Sequence, residues 1–112
     1  MGLNAKLGPS VPERYFSDAF NRVIEYHLDY LRNAPGGRSA TLALGVTLAY
    51  DRNFYGVMAH LNIPREFWWI MLRVNGLETP FDYRYTSNTF IIPDRSAITN
   101  IFTRMVATEL RL

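Results

Sequence analysis

From Tyr50 to Gly76, and on to the run Thr89-Phe90-Ile91-Ile92-Pro93, the chain carries an order of signals that few folds can satisfy. Phe54, Val57, Met58 and Leu61 recur at helical spacing, and so do Phe67, Trp68, Ile70, Met71 and Leu72, while Thr89 to Ile92 is a short β-rich run stopped by a proline. The stretch therefore reads as two short helices joined at Asn62-Ile63-Pro64, a stop at Asn75-Gly76, and a closing strand. Almost every conspicuous side chain in it is apolar or aromatic. Its chemistry is packing and recognition rather than proton or group transfer, which favours a structural or binding protein over an enzyme.

The rest of the chain extends this pattern on both sides. Residues 1 to 9 hold two glycines, a proline and no apolar period, so they read as an extended arm. Ser10-Val11-Pro12-Glu13 has the spacing of a capping box. A helix is expected from there, with Phe16, Ala19, Phe20, Val23, Ile24, His27, Leu28 and Leu31 on one face and an end at Asn33-Ala34-Pro35-Gly36-Gly37. From 41 to 49, Leu42, Leu44, Val46 and Leu48 alternate, which predicts a strand with Gly45 as a bulge; a buried helix is the rival, since Leu and Ala favour it. Asp51 is the expected cap of the first short helix, to about Leu61, and the second should run from about Arg65 to Val74. The strand at 89 to 92 should pair with the one at 41 to 49. After Pro93, Asp94 is placed to cap a last helix with an apolar stripe of Ile98, Ile101, Phe102, Met105 and Val106. The two terminal helices each have one apolar face, which must pack on the other, on the central unit, or on another chain.

Composition narrows the function classes. A chain of 112 residues fits one small domain able to bury about 65% of its unfolded surface without staples. It has no cysteine, so disulfide frameworks and thiolate zinc sites are excluded and the redox compartment stays open. Twelve basic and ten acidic residues give a net charge of +2, too small and too interspersed for the footprint of a nucleic-acid binder, although the pI is near 9.2. No apolar run approaches the ~20 residues a membrane-spanning helix needs, and the first residues lack a signal-peptide core, so synthesis and retention in the cytoplasm are expected. Aromatic residues make up 14% of the chain, more large amphipathic rings than a small core encloses, and some of the tyrosines are expected at interfaces.

The central segment resembles a lysin-motif (LysM) module. The matching residues are Asp51, Leu61, Asn62, Ile63, Phe67, Leu72, Asn75, Gly76, Leu77, Phe90, Ile91, Ile92 and Pro93, about half of the chain being covered. The resemblance implies an α+β fold: a LysM-like βααβ core at 40–93, an N-terminal arm and amphipathic helix at 1–37, and a C-terminal helix at 94–112. More specifically, Trp68-Trp69 inside the second helix, then Asn75-Gly76-Leu77-Glu78-Thr79-Pro80-Phe81 before the Phe-Ile-Ile-Pro strand, resembles the LysM-like region of baseplate wedge proteins of contractile-tailed bacteriophages. In that family the module is an assembly element. The resemblance thus implies a virion protein of the tail baseplate, made in the host cytoplasm, that holds other tail proteins in a hetero-oligomeric assembly without cofactor, nucleic acid or membrane. The partner-facing residues expected on that view are Phe16, Phe20, Trp68, Trp69, Ile101, Phe102 and Met105.

The alternative implied by the same resemblance is a peptidoglycan or N-acetylglucosamine-binding LysM module, with Tyr50, Asp51, Leu77 and Glu78 at the sugar groove. Two departures count against it. The usual Gly-Asp-Thr-Leu opening is replaced by Tyr50-Asp51-Arg52-Asn53-Phe54, and the glycine before the last strand by Thr86-Ser87-Asn88. No catalytic or metal site is expected: His27 and His60 have no second ligand at metal spacing, Glu25 and Asp29 share a solvated helical face, and Glu66 complements a helix dipole. Gly36-Gly37-Arg38-Ser39 lacks the flanking residues of a phosphate loop. Trp68 and Trp69 lie roughly 100° apart on their helix, so either one anchors the core and the other covers a neighbour, or both are internal.

Overall fold

A computed structural model describes residues 18–111, with side chains as far as Met105. The expected arm, the capping box at Ser10 to Glu13 and Phe16 lie outside the described residues, as do the side chains of Val106 and beyond. The order of elements is α1 (Asp18–Tyr26), α2 (Leu28–Asn33), β1 (Arg38–Thr41), α3 (Leu44–Ala49), α4 (Phe54–His60), a 3-10 turn (Arg65–Phe67) leading into α5 (Trp68–Val74), a second 3-10 turn (Pro80–Asp82), β2 (Thr89–Ile92) and α6 (Arg95–Arg111). The protein is thus of mixed helix and sheet, with one two-stranded antiparallel sheet pairing Arg38 with Ile92 and Thr41 with Thr89.

The expected strand over 41–49 is corrected: the strand that pairs with β2 starts three residues earlier and ends at Thr41, and the apolar run forms α3. Leu42, Leu44, Val46 and Leu48 satisfy a period of two, but Leu44 and Leu48 also satisfy a helical repeat, and Leu and Ala favour helix. Thr47 tips the balance. Fully buried, its hydroxyl donates to the carbonyls of Leu44 at 3.1 Å and Tyr85 at 2.8 Å, a pinning that needs a helical turn here. Gly45 makes no bulge; it sits on the exposed side of α3 with open space around it.

The helix expected to run unbroken to Arg32 is divided at His27. The ring Nδ1–H of His27 donates to the carbonyl of Val23 at 2.7 Å, in the place of its own backbone N–H, which turns to Ile24 instead. At Asp51 the expected cap is also corrected. Asn53 caps α4, its side-chain oxygen accepting from the N–H of Gly56 at 3.0 Å. Asp94 begins α6 through its backbone carbonyl, while its carboxylate takes the hydroxyl of Ser96.

The expected stop at Asn75-Gly76 and the expected turn at Asn62-Ile63-Pro64 both fold as Schellman motifs. After α5, Gly76 has φ +83, its N–H reaches Arg73 O at 3.0 Å, and the N–H of Leu77 reaches Leu72 O at 3.1 Å. After α4, Asn62 (φ +61) and Ile63 make the same pair of bonds to Ala59 and Met58, both at 3.0 Å. Asparagine tolerates this left-handed geometry because its short polar side chain costs little there. Asn75 then joins helix to sheet. Its amide donates to Met71 O at 2.8 Å and Ile91 O at 3.0 Å, and its oxygen accepts from Ile91 N–H at 2.8 Å. One side chain thus does for the outer edge of β2 what a third strand would.

Phe54, Tyr83 and Phe90 stack around one another with centroids 5.8 to 6.3 Å apart and fill the space between α4 and the sheet. The buried residues form one cluster that continues through Ile70, Met71 and Leu72 of α5 to Phe20, Ile24 and Leu31 of the first helices and Ile98 of α6. Of the partners open to the terminal helices, α1 takes α6, with Phe20 edge-on to Phe102 at 5.6 Å and 85°, and α2 takes α5. Arg32 fixes the second contact by donating to Val74 O at 2.8 Å and Arg73 O at 3.4 Å at the end of α5. Among the described residues no helix is long and apolar enough to cross a membrane.

Candidate protein-binding surface

Where α1 and α2 meet α6, the packing leaves an open groove of about 340 Å³ lined by Val23, His27, Tyr30, Asn100, Ile101, Arg104 and Met105. Its floor is aliphatic and its rim is aromatic and basic. The break at His27 lies beside it, and Tyr30 stands 6.4 Å from the His27 ring and edge-on to it. Tyr26, on the adjoining turn, is 86% exposed, far beyond what a tyrosine at the margin of a core requires. Arg104 supplies the groove's one cationic side chain among the described residues.

The expected partner-facing residues divide among three places. Ile101 and Met105 line the groove, with Ile101 forming its floor at 6% exposure. Phe20 is fully enclosed by the chain's own core, and Phe102 packs half-buried against it. Trp68 and Trp69 are both half-buried and line a second recess of about 300 Å³ together with Asn21, Tyr55, Arg65, Glu66 and Ile70. Trp68 anchors inward, donating its indole N–H to Ile63 O at 2.7 Å and lying 5.5 Å from the Tyr55 ring. Burial raises the Tyr55 hydroxyl above its usual pKa. Phe16 lies outside the described residues.

The four residues of the sugar-binding alternative have other neighbours. Tyr50 lies on His60, its hydroxyl 3.4 Å from Nδ1. The Asp51 carboxylate accepts the backbone N–H of Tyr85 at 2.9 Å and Arg84 Nε at 3.2 Å, and the first of these holds its pKa below the usual value. Leu77 is half-buried and its carbonyl accepts from Arg73 at 2.6 Å; Glu78 is exposed. The loops at 49–53 and 82–85 are therefore stitched together through Asp51 and through the N–H of Arg52 on Tyr83 O at 2.8 Å.

Glu25 is more than a solvated surface acid. It receives both Arg73 Nε at 2.5 Å and a terminal nitrogen of Arg73 at 3.1 Å, a bidentate pair that ties α1 to α5. The Arg73 hydrogen bond keeps the Glu25 carboxyl below its usual pKa and raises that of Arg73 in return. Among the described residues no group of three or more His, Asp or Glu is placed to hold a metal ion.

The groove's rim escaped sequence reasoning because its parts come from helices some seventy positions apart. The tyrosine excess was the one signal for it. Exposed Leu44 and Leu48, one turn apart on α3 where an alternating strand was expected, and Phe81 in the second 3-10 turn are further apolar surface. The chain matches no protein-family model, no curated protein and no solved structure.

Proposed function

We propose that this chain is a non-enzymatic assembly protein that works by burying apolar surface against neighbouring proteins, as a component of a phage tail baseplate with a LysM-like core. The observation that carries the reading is the open groove between α1–α2 and α6, lined by aliphatic Val23, Ile101 and Met105 together with His27, Tyr30 and Arg104. A tyrosine and an arginine beside an apolar floor are residue types enriched at interface centres. The partner that fits is a protein segment placing aliphatic side chains in the groove and a carboxylate against Arg104. Apolar area covered there contributes about 25 cal/mol per Å² before ordering costs are subtracted.

The baseplate setting is supported by the Trp68-Trp69 pair, the Asn75-Gly76 stop and the Phe-Ile-Ile-Pro strand, and by an antiparallel strand pair that brackets the helices. The extra helix α3 departs from a plain βααβ order. Co-expression with the tail proteins of the encoding phage tests the reading, with Met105→Glu as the diagnostic change at the groove. The wild-type chain should enter tail particles and the variant, folded to the same melting temperature, should not. A wild-type chain that stays monomeric and never joins a particle overturns the proposal.

A further inference from the structure

The two edges of the small sheet differ in a way that points to a second contact. Ile91 turns its N–H and C=O away from β1, toward Asn75, so its partner Ser39 must also turn its backbone groups outward. The same alternation holds next door. Leu42 donates to Asn88 O at 2.9 Å, which makes it an inward-bonded residue and leaves Thr41 outward. Two N–H and C=O pairs, of Ser39 and Thr41, thus stand about 7 Å apart along the outer edge of β1. On β2 the Asn75 amide fills the equivalent place; on β1 no described residue does, and the strand is exposed along most of its length.

Beside this edge lies a polar recess of about 460 Å³ whose lining includes Arg32, Arg38 and Ser39 and no acidic residue. Arg32 is held in place by Val74 O, Arg73 O and, on its outer side, the exposed Asp29 at 3.1 Å. Arg38 has no ion-pair partner among the described residues. An open edge next to two cations suits a strand that brings an acid. We propose that the outer edge of β1 accepts an extended, acid-bearing segment of another protein as a third strand, with its carboxylate in the recess lined by Arg32 and Arg38. Backbone bonds to Ser39 and Thr41 give the pairing, and the acid sets its register. This rests on the reading of the chain as a protein-binding component but uses a different surface from the groove, so failure at either leaves the other standing.

The probe is a synthetic eight-residue peptide of alternating Thr and Val with one central Glu, titrated into the full chain while amide hydrogen exchange is followed. The peptide should slow exchange at Ser39 and Thr41 by roughly tenfold or more at up to about 1 mM peptide. Replacing its Glu by Gln, or making Arg38→Glu in the protein, should weaken binding several-fold. Ser39→Pro removes an outward N–H that the β1–β2 ladder does not use, so it should abolish protection while the melting temperature holds. If that variant unfolds, a peptide N-methylated on its pairing face provides the same control and should not bind. Unchanged exchange at Ser39 and Thr41, or binding indifferent to the outward N–H, overturns the proposal. So does protection that rises with protein concentration in the absence of peptide, which assigns the edge to a second copy of the chain.

Discussion

Replacing Asn75 by Ala removes the one side chain that stands in for a strand, and the structure sets the size of the loss. Three hydrogen bonds go, at 2.8, 3.0 and 2.8 Å, but they are not equivalent. Met71 O keeps the backbone N–H of residue 75 at 3.0 Å, whereas Ile91 loses the partners of both its N–H and its C=O. At about 1–1.5 kcal/mol for each group left unpaired in a half-buried site, the variant should lose roughly 2–3 kcal/mol. For a domain near this size that is a fall in Tm of about 8–15 °C. Urea unfolding followed by circular dichroism measures it, and the m-value should not change because the surface exposed on unfolding is the same. Asn75→Asp sharpens the argument. It keeps the acceptor for Ile91 N–H but sets a carboxylate against two carbonyls, so it should be less stable than the wild type by more at pH 7 than at pH 3. A loss below about 0.5 kcal/mol for Asn75→Ala would mean that water replaces the amide and that the edge of β2 is not closed in this way.

Three other changes test separate links. Gly56→Ala puts a Cβ 2.6 Å from the Tyr50 ring and 2.7 Å from the Asn53 amide that caps α4; the gain of about 1 kcal/mol in helix propensity should be outweighed, giving a net loss of about 1–2 kcal/mol in thermal unfolding, and a stabilised variant would refute the crowding. Glu25→Gln should cost under about 1 kcal/mol at pH 7, since the carboxylate is 40% exposed and its pair is screened. Because Glu25 titrates below its ordinary 4.5 when folded, that contribution is full above this value and fades as pH falls through the lowered one; urea titrations of both proteins at several pH values check the sign, and a difference that grows in acid contradicts it. Leu44→Glu and Leu48→Glu, at 55% and 57% exposure, should each change stability by less than about 0.5 kcal/mol, whereas a buried strand face there would make either severe.

What could be read from residues alone was the part written locally. Thr89 to Ile92 is bounded by Asn88 and Pro93 and packed with β-branched and aromatic side chains, and it folds over those bounds. The left-handed stop at Gly76 and the turn at Asn62 each depend on a single residue and occur where they were expected, while the left-handed backbone of Asn62 itself was not foreseen. By contrast, Arg38-Ser39-Ala40-Thr41 has no strand signal of its own; it becomes one by pairing with β2, some fifty residues later. The run at 42–48 fits both periods, and the tie is broken by the Thr47 hydroxyl on Tyr85 O, a contact invisible at short range. The surface divides in the same manner. The stripe holding Ile101 and Met105 was visible in α6, but that it would meet His27 and Tyr30 across a groove required knowing that α1 chooses α6. Phe20 looked equally available to a partner until that choice buried it.

The proposed baseplate role is tested most directly by electron microscopy of purified tails of a phage whose genome carries this sequence. Density for residues 18–111 is expected within the baseplate, with another protein seated over Val23, Ile101 and Met105 and the Tyr30 ring covered. Tails complete to high resolution without this chain, accompanied by a free monomer in the lysate, would contradict it.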